Sequence, residues 1–290
     1  MYTEHQIHSA AERIITLRHY HGSRERGETP KKTLILGPAL GVPQRFYQTF
    51  CGWLVSAGYQ VVSFDYYGIG DSRHGSLRRQ DTGVLQWGEL DAQAVIDWTE
   101  RHCQSSKLVW FAHSVSGQLF GFIPRTDAIA EVITIATGSG YWRENTPALK
   151  PKAWVLWNIL VPVLVPLFGY FPGQRVGIVG DIPKTAMWQW RRWCLHQDYI
   201  LGVEDDHIRA RFAAVKQPLQ SVHIADDEML TERNVAQVHD FYVNAKQQRM
   251  IYHAQQFGLE RLGHFDIFRQ SKTGKVWSQL YLPLLEQHPL

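Results

Sequence analysis

The sequence predicts an α/β fold with a mostly parallel, doubly wound sheet and an inserted helical cap. Short apolar runs that suit buried strands alternate with longer amphipathic stretches that suit helices, as in βαβ units. Residues 138–216 break this alternation and hold six of the 11 tryptophans. A chain of 290 residues can form one large domain with such an insertion. We therefore predict a core from residues 1–137 and 217–290, with a cap over residues 138–216.

The elements before the insertion follow from their periodicity. Alternating polar and apolar residues from His5 to about Arg18 predict two antiparallel edge strands. Apolar residues at helical spacing, with acidic residues early, predict an amphipathic helix over Val84–Arg101. The other predicted elements here are the strands Leu34–Leu36, Val61–Asp65, Lys107–Ala112 and Glu131–Ala136, a helix from Gln44 to Ala57 and a helix that starts at Ser116.

After the insertion, the sequence again predicts alternating strands and helices. Ser221–Ala225 and Arg249–Ala254 are predicted strands. Thr231 suits the N-cap of a helix that ends near Asp240, and Lys275–Leu285 is predicted to form a closing helix.

The insertion contains the most apolar run of the chain. Ala153–Phe171 is 19 residues long and carries no charge, which is short for a membrane span, and Pro162 and Pro166 interrupt it. We expect a pair of cap helices that line an apolar pocket. An interfacial membrane contact and a true span are the alternatives.

Charge and cysteine content narrow the function classes. The 30 basic and 27 acidic residues give a formal charge of +3 without a long basic block, so nucleic acid is not an expected partner. Three widely spaced cysteines predict neither a disulfide framework nor a zinc site. The first residues lack a secretory pattern, which makes the cytoplasm the expected location. The 14 histidines show no metal-binding spacing, so neither a metal nor a cofactor is expected.

Ser114 lies between a predicted strand and a predicted helix. A serine at such a sharp turn needs small residues two positions before and after it, and Ala112 and Ser116 meet that need. The pattern is A-x-S-x-S, where the usual nucleophile elbow is G-x-S-x-G. This position indicates a nucleophilic serine.

Two further motifs follow strands. Asp65–Ser72 reads D-x-x-G-x-G-x-S, and Arg261–Phe268 places His264 in a glycine-led loop near the end of the chain. The glycines of the first motif also suit a dinucleotide site, but Arg73 stands where the third glycine is needed. Asp65 and Asp71 are expected to hold the turn rather than to react.

Together these motifs resemble the α/β-hydrolase superfamily, in the chain order nucleophile, acid, histidine. The resemblance covers nearly the whole chain. Further segments are similar to a bacterial branch of largely uncharacterised predicted serine hydrolases: Gly41–Tyr47, Trp87–Asp91 and Trp188–Trp193.

The resemblance implies Ser114 as nucleophile and His264 as base, with the acid after the strand Ser221–Ala225. Asp227 fits the superfamily's turn best, whereas counting three residues from Ala225 selects Glu228, and Asp226 is a third candidate. His113 is expected to be structural, and His253 is expected to lie within a strand as a core or face residue.

The oxyanion hole is expected to use backbone N–H groups. Val115, directly after the nucleophile, supplies one. The second should come from the loop after Leu34–Leu36, where Pro38 has no N–H, so Leu40 is preferred and Ala39 is the alternative.

The predicted function is a serine hydrolase that cleaves a carboxylic ester or thioester with an apolar acyl or aromatic group through an acyl-enzyme. Its expected partner is thus a small apolar substrate. An amidase, peptidase or acyltransferase of the same fold is one alternative, and a non-catalytic binding protein is the other.

Overall fold

A central sheet of eight strands organises the protein, whose computed structural model describes residues 1–22, 30–103 and 107–286. The strands are β1 (Tyr2–Ala10), β2 (Arg13–Tyr20), β3 (Thr33–Gly37), β4 (Gln60–Phe64), β5 (Leu108–His113), β6 (Ile129–Ile135), β9 (Leu219–Ile224) and β10 (Gln247–Tyr252), with the two-residue strands β7 (Tyr170–Phe171) and β8 (Ile182–Pro183) pairing separately. Their order across the sheet is β1-β2-β4-β3-β5-β6-β9-β10.

Most strand pairings are parallel, as predicted. β2 pairs antiparallel with β1 and with β4, and every other neighbouring pair of the large sheet is parallel. The prediction of two edge strands at the N-terminus was therefore half wrong. β1 is an edge, but β2 is interior because its second side bonds to β4.

The helices connect these strands and cover both faces. They are α1 (Gln48–Ser56), α2 (Val84–Gln86), α3 (Gln93–His102), α4 (Val115–Leu119), α5 (Lys150–Val155), α6 (Val161–Phe168), α7 (Gly173–Val176), α8 (Lys184–Leu195), α9 (Asp206–Ala214), α10 (Glu232–His239), α11 (Gln270–Thr273) and α12 (Trp277–Glu286). A π-helical segment, Trp87–Ala92, joins α2 to α3, so the helix predicted over Val84–Arg101 is continuous. The hydroxyl of Thr231 accepts the N–H of Asn234 and caps α10 as predicted.

Alternate residues of the interior strands enter two separate cores, as a doubly wound sheet requires. On β5, Trp110 packs in one core, whereas Val109 and Phe111 pack in the other. The second core is closed by residues of α1 and α12, including Phe50 and Tyr281. The first core is closed by α2–α4 and by residues of the insertion.

The apolar run of the insertion forms one helical segment instead of the expected pair. α5 continues through a π-helical turn, Leu156–Leu160, into α6, and left-handed Gly169 ends it. The π turn ends two residues before Pro162, whose missing N–H removes one of the usual helical hydrogen bonds. Residues 138–216 hold α5–α9 with β7 and β8, and their assignment as a cap over the site remains a prediction.

Candidate active site

Ser114 lies at the sharp turn between β5 and α4. Its backbone has φ 56° and ψ −118°, a combination that residues other than glycine rarely adopt and that stores strain. The Ser114 N–H donates to the carbonyl of Ile135 on neighbouring β6 at 3.0 Å. The Ser114 carbonyl accepts from the Thr137 hydroxyl at 2.8 Å. These two bonds hold the strained turn at the carboxyl end of the parallel strands.

The residues around this turn are small, as predicted, and one of them is also tied into the fold. Ala112 and Ser116 are fully buried. The Ser116 hydroxyl donates to the Pro38 carbonyl at 2.5 Å and lies 2.7 Å from the Tyr66 hydroxyl. The serine that replaces the usual second glycine thus connects the turn to the loop after β3.

Ser114, His264 and Asp227 form one hydrogen-bonded series. His264 Nε2 lies 3.1 Å from Ser114 Oγ, and His264 Nδ1 lies 2.7 Å from Asp227 Oδ2. The His264 and Asp227 side chains are 1 % and 0 % exposed, which shields their interaction from water. In this order the imidazole can take a proton from the hydroxyl while the carboxylate stabilises the imidazolium that forms.

The environment of Asp227 keeps its carboxyl ionised. Burial opposes the charge, but His264 and the N–H groups of Met229 and Leu230 outweigh burial and lower the pKa of Asp227. Those N–H groups donate to Asp227 Oδ1 at 2.7 and 3.0 Å, so Oδ2 is left for His264.

The neighbouring carboxylates, which sequence reasoning left as alternatives, bind the backbone of the histidine loop. Asp226 accepts the N–H groups of Leu262 and Gly263, both at 2.9 Å. Glu228 accepts the N–H of His264 at 2.9 Å and pairs with Arg261 at 2.8 Å. All three consecutive acids therefore contact residues 261–264, but of the three only Asp227 bonds to the imidazole ring of His264.

A second series of hydrogen bonds connects Ala39, Tyr47 and His113 to the backbone of the loop that carries His264. The Ala39 N–H donates to the Tyr47 hydroxyl at 3.0 Å, and that hydroxyl lies 2.7 Å from His113 Nδ1. His113 Nε2 lies 3.0 Å from the carbonyl of His264. Burial, with the nearby His264, lowers the pKa of His113 well below its usual range. A neutral ring then donates from Nε2 to that carbonyl and accepts the Tyr47 proton at Nδ1.

Sequence reasoning missed Tyr47, although it singled out the segment Gly41–Tyr47. No local pattern could reveal its role, because its partners lie eight and 66 residues away in the chain. His113 is structural, as predicted.

The two backbone groups expected to bind an oxyanion border the same cavity as Ser114. Leu40 and Val115 both line it. The alternative, Ala39, has its N–H committed to Tyr47. Among the residues that the structure describes, no acceptor bonds to the N–H of Leu40 or Val115. Both donors are thus available to a bound group.

The cavity beside Ser114 has a volume of about 380 Å³. Ser114 and His264 form part of its wall. The other polar side chains that line it belong to Gln118, Ser139, Asn145, Lys152 and Glu228. Its other lining residues are mainly apolar and come largely from the insertion: Leu149, Ala153, Leu156, Trp157, Ile178, Val179, Trp190 and Tyr199.

The remaining predicted residues lie outside this cavity. Asp65 accepts the N–H groups of Gln44 and Asp71 at 2.6 and 2.8 Å, so it holds the turn as predicted. His253 is exposed and follows the end of β10, so the prediction that it lies within a strand was wrong. Within the described residues, no three of His, Cys, Asp or Glu cluster closely enough to hold a metal ion.

Comparison with known proteins identifies the fold. No protein-family model and no curated protein matches the sequence. An alpha/beta hydrolase from Penicillium is 14 % identical, with a TM-score of 0.62 over 100 % of this chain and 99 % of its own. A carboxyl esterase from Bacillus coagulans is 12 % identical, with a TM-score of 0.63 over 98 % of this chain and 97 % of its own.

A soluble variant of monoglyceride lipase from Saccharomyces cerevisiae is also similar. It is 13 % identical, with a TM-score of 0.62 over 99 % of this chain and 95 % of its own. Full-length similarity at such low identities establishes a shared fold.

Proposed function

Because the chain has the α/β-hydrolase fold, we propose that it is a serine hydrolase that cleaves carboxylic esters or thioesters of apolar acyl or aromatic groups. The observation that carries the proposal is the series Ser114, His264 and Asp227, with 3.1 and 2.7 Å between successive partners. The serine of this series lies on a strained turn in the wall of a mainly apolar cavity.

The proposed reaction has two halves. Ser114 Oγ attacks the substrate carbonyl carbon as His264 Nε2 takes its proton, and His264 then gives that proton to the departing alcohol or thiol. Water repeats the sequence on the acyl-enzyme and releases the acid. Asp227 keeps the Nδ1 proton of His264 in place throughout. The proposed reaction uses no cofactor.

The oxyanion of each tetrahedral intermediate is proposed to bind the N–H groups of Leu40 and Val115. A donor of this kind contributes about 10²–10³-fold in rate. Tyr47 supports this arrangement, because it occupies the neighbouring Ala39 N–H.

The cavity supports an apolar acyl or aromatic group as the part of the substrate that is bound. Its volume lies within the range of small-molecule sites, about 300–1,000 Å³. Each methylene of a longer acyl chain that enters it should raise kcat/KM by up to about fourfold, corresponding to about 0.8 kcal/mol. An ester series from acetate to decanoate should show this rise until the cavity is full.

The decisive experiment combines kinetics with covalent labelling. Ser114→Ala should lower kcat on a p-nitrophenyl ester by at least about 10³-fold and abolish labelling by a fluorophosphonate probe. Ser139→Ala is the matched control, since Ser139 also lines the cavity, and it should keep the label. Unchanged activity in a folded Ser114→Ala variant would refute the mechanism. A folded wild-type protein that takes no label would instead be a binding protein.

The labelled protein also separates the other enzyme classes. Incubation with matched ester, thioester and amide substrates, with and without an alcohol acceptor, distinguishes an esterase from an amidase, a peptidase or an acyltransferase. A cytoplasmic location remains part of the proposal, and three buried, free cysteines suit a reducing compartment.

A further inference from the structure

One face of the helical segment Lys150–Phe168 is an exposed apolar stripe. Val155, Ile159, Val163 and Leu167 follow one another at four-residue spacing and are 39, 44, 56 and 66 % exposed. Trp154 beside them is 46 % exposed. Residues four apart lie on one side of a helix, so these side chains form a continuous strip about 20 Å long. So much apolar surface in one place indicates an interaction site.

The opposite face of this helix is fixed within the fold. Ala153, Leu156 and Trp157 line the cavity beside Ser114, and Val161 and Val165 are fully buried in the first core. By length and composition the helix is apolar enough to cross a membrane. Spanning one would expose these core residues, so the stripe is suited to lie against a surface.

Charge indicates which surface the stripe fits. Residues 145–180 contain three basic residues, Lys150, Lys152 and Arg175, and no acidic residue. At the other end of the helix, Arg78 Nε donates to the Phe168 carbonyl at 2.7 Å. The apolar stripe therefore has cations at both of its ends.

The two lysines are not explained by the stability of the helix. Lys150 and Lys152 lie in its first turn, where the helix dipole favours negative charge and disfavours cations. Neither has an ion-pair partner among the residues described. An anionic surface outside the protein would compensate both charges.

We propose that this face, the stripe with Lys150, Lys152, Arg175 and Arg78, docks the protein peripherally on an anionic lipid bilayer. The apolar side chains would enter the headgroup region while the cations meet lipid phosphates. A second copy of the chain fits less well, because a two-fold contact would bring the same cations together.

The helix that carries the stripe also forms part of the cavity wall, through Ala153, Leu156 and Trp157 on its other side. Ile178 is 43 % exposed and also lines the cavity beside Ser114. A lipid acyl chain could thus pass from the bilayer into the cavity with little exposure to water. This second step rests on the proposed function, whereas bilayer docking does not.

The test measures docking in a catalytically inactive background. Ser114→Ala protein is sedimented with vesicles of phosphatidylcholine alone and of phosphatidylcholine with phosphatidylglycerol. Binding to the anionic vesicles should be at least about 10-fold tighter and should weaken with salt. Adding Val163→Asp and Leu167→Asp should lower it at least about 10-fold. The matched control is Val243→Asp, at a position 68 % exposed outside the insertion, and it should leave binding unchanged.

Several outcomes would overturn the proposal. One is that the protein binds neither type of vesicle, and another is that it binds both types equally well. A third is that Val243→Asp weakens vesicle binding as much as Val163→Asp with Leu167→Asp does. A dimer in sedimentation velocity that Val163→Asp with Leu167→Asp converts to a monomer would assign the face to a second copy. With Ser114 intact, that double variant should keep wild-type activity on a water-soluble ester. Loss of catalysis and loss of docking are therefore separate results.

Discussion

Replacing Asp227 by asparagine should remove most of the activity while leaving the fold intact. The amide is isosteric, and its oxygen can still accept the N–H groups of Met229 and Leu230, at 2.7 and 3.0 Å from Oδ1. Its NH₂ group then faces His264 Nδ1, where Oδ2 lies 2.7 Å away in the wild type.

The substitution places a hydrogen-bond donor where the wild type has an acceptor for His264 Nδ1. An amide donor at Nδ1 forces the His264 proton onto Nε2, so the ring presents a donor to Ser114 Oγ and can no longer act as its base. We expect kcat to fall by about 10⁴-fold, which corresponds to about 5.5 kcal/mol in the barrier, with little change in KM.

The adjacent acids supply matched controls within the same turn. Asp226→Asn turns an NH₂ group towards the Leu262 or Gly263 N–H and should cost about 1–3 kcal/mol of stability. Asp226→Asn should lower kcat by no more than about 10²-fold, because it would displace the loop that carries His264. The Glu228 side chain is 42 % exposed, so Glu228→Gln should lower the free energy of unfolding by less than about 1 kcal/mol.

Steady-state kinetics on one p-nitrophenyl ester, with urea unfolding of each variant, measure both quantities. If Asp226→Asn or Glu228→Gln is folded and loses as much activity as Asp227→Asn, the assignment of the acid from the ring contact is wrong.

Two further predictions concern packing and pH. A Cβ on Gly117 would lie under 3.0 Å from the Thr137 side chain that bonds to the Ser114 carbonyl. Gly117→Ala should therefore lower the free energy of unfolding by about 1–3 kcal/mol and also lower kcat. Gly52→Ala, where a Cβ meets nothing within 4 Å, should instead be neutral or stabilising in urea unfolding. Burial lowers the pKa of His239 to about 4, so the unfolded chain binds its proton more readily between pH 6.5 and 4. Stability should therefore fall as pH falls through this range, by up to about 1.4 kcal/mol per pH unit from this group, and His239→Gln should flatten the slope.

The chain order of strands and helices was determined by the sequence itself. Periods of two and of 3.6 residues reflect burial on one face of a local element, so they are visible without tertiary information. The predicted core elements are present with ends shifted by a few residues, for example Val61–Asp65 against β4 at Gln60–Phe64. The motif around Ser114 was predictable for the same reason, because a strained turn restricts its own neighbours in sequence.

Only the tertiary structure decided which residues that are distant in sequence contact each other. Three consecutive acids have the same local pattern, and the position of the His264 loop selects Asp227 as the acid that contacts the ring. Tyr47 occupies the Ala39 N–H through a contact that no local pattern encodes. Likewise, the apolar run 153–171 is uniformly uncharged in sequence. Packing divides it into a face that lines the cavity and a face left in water, because burial depends on what the rest of the chain places beside each side.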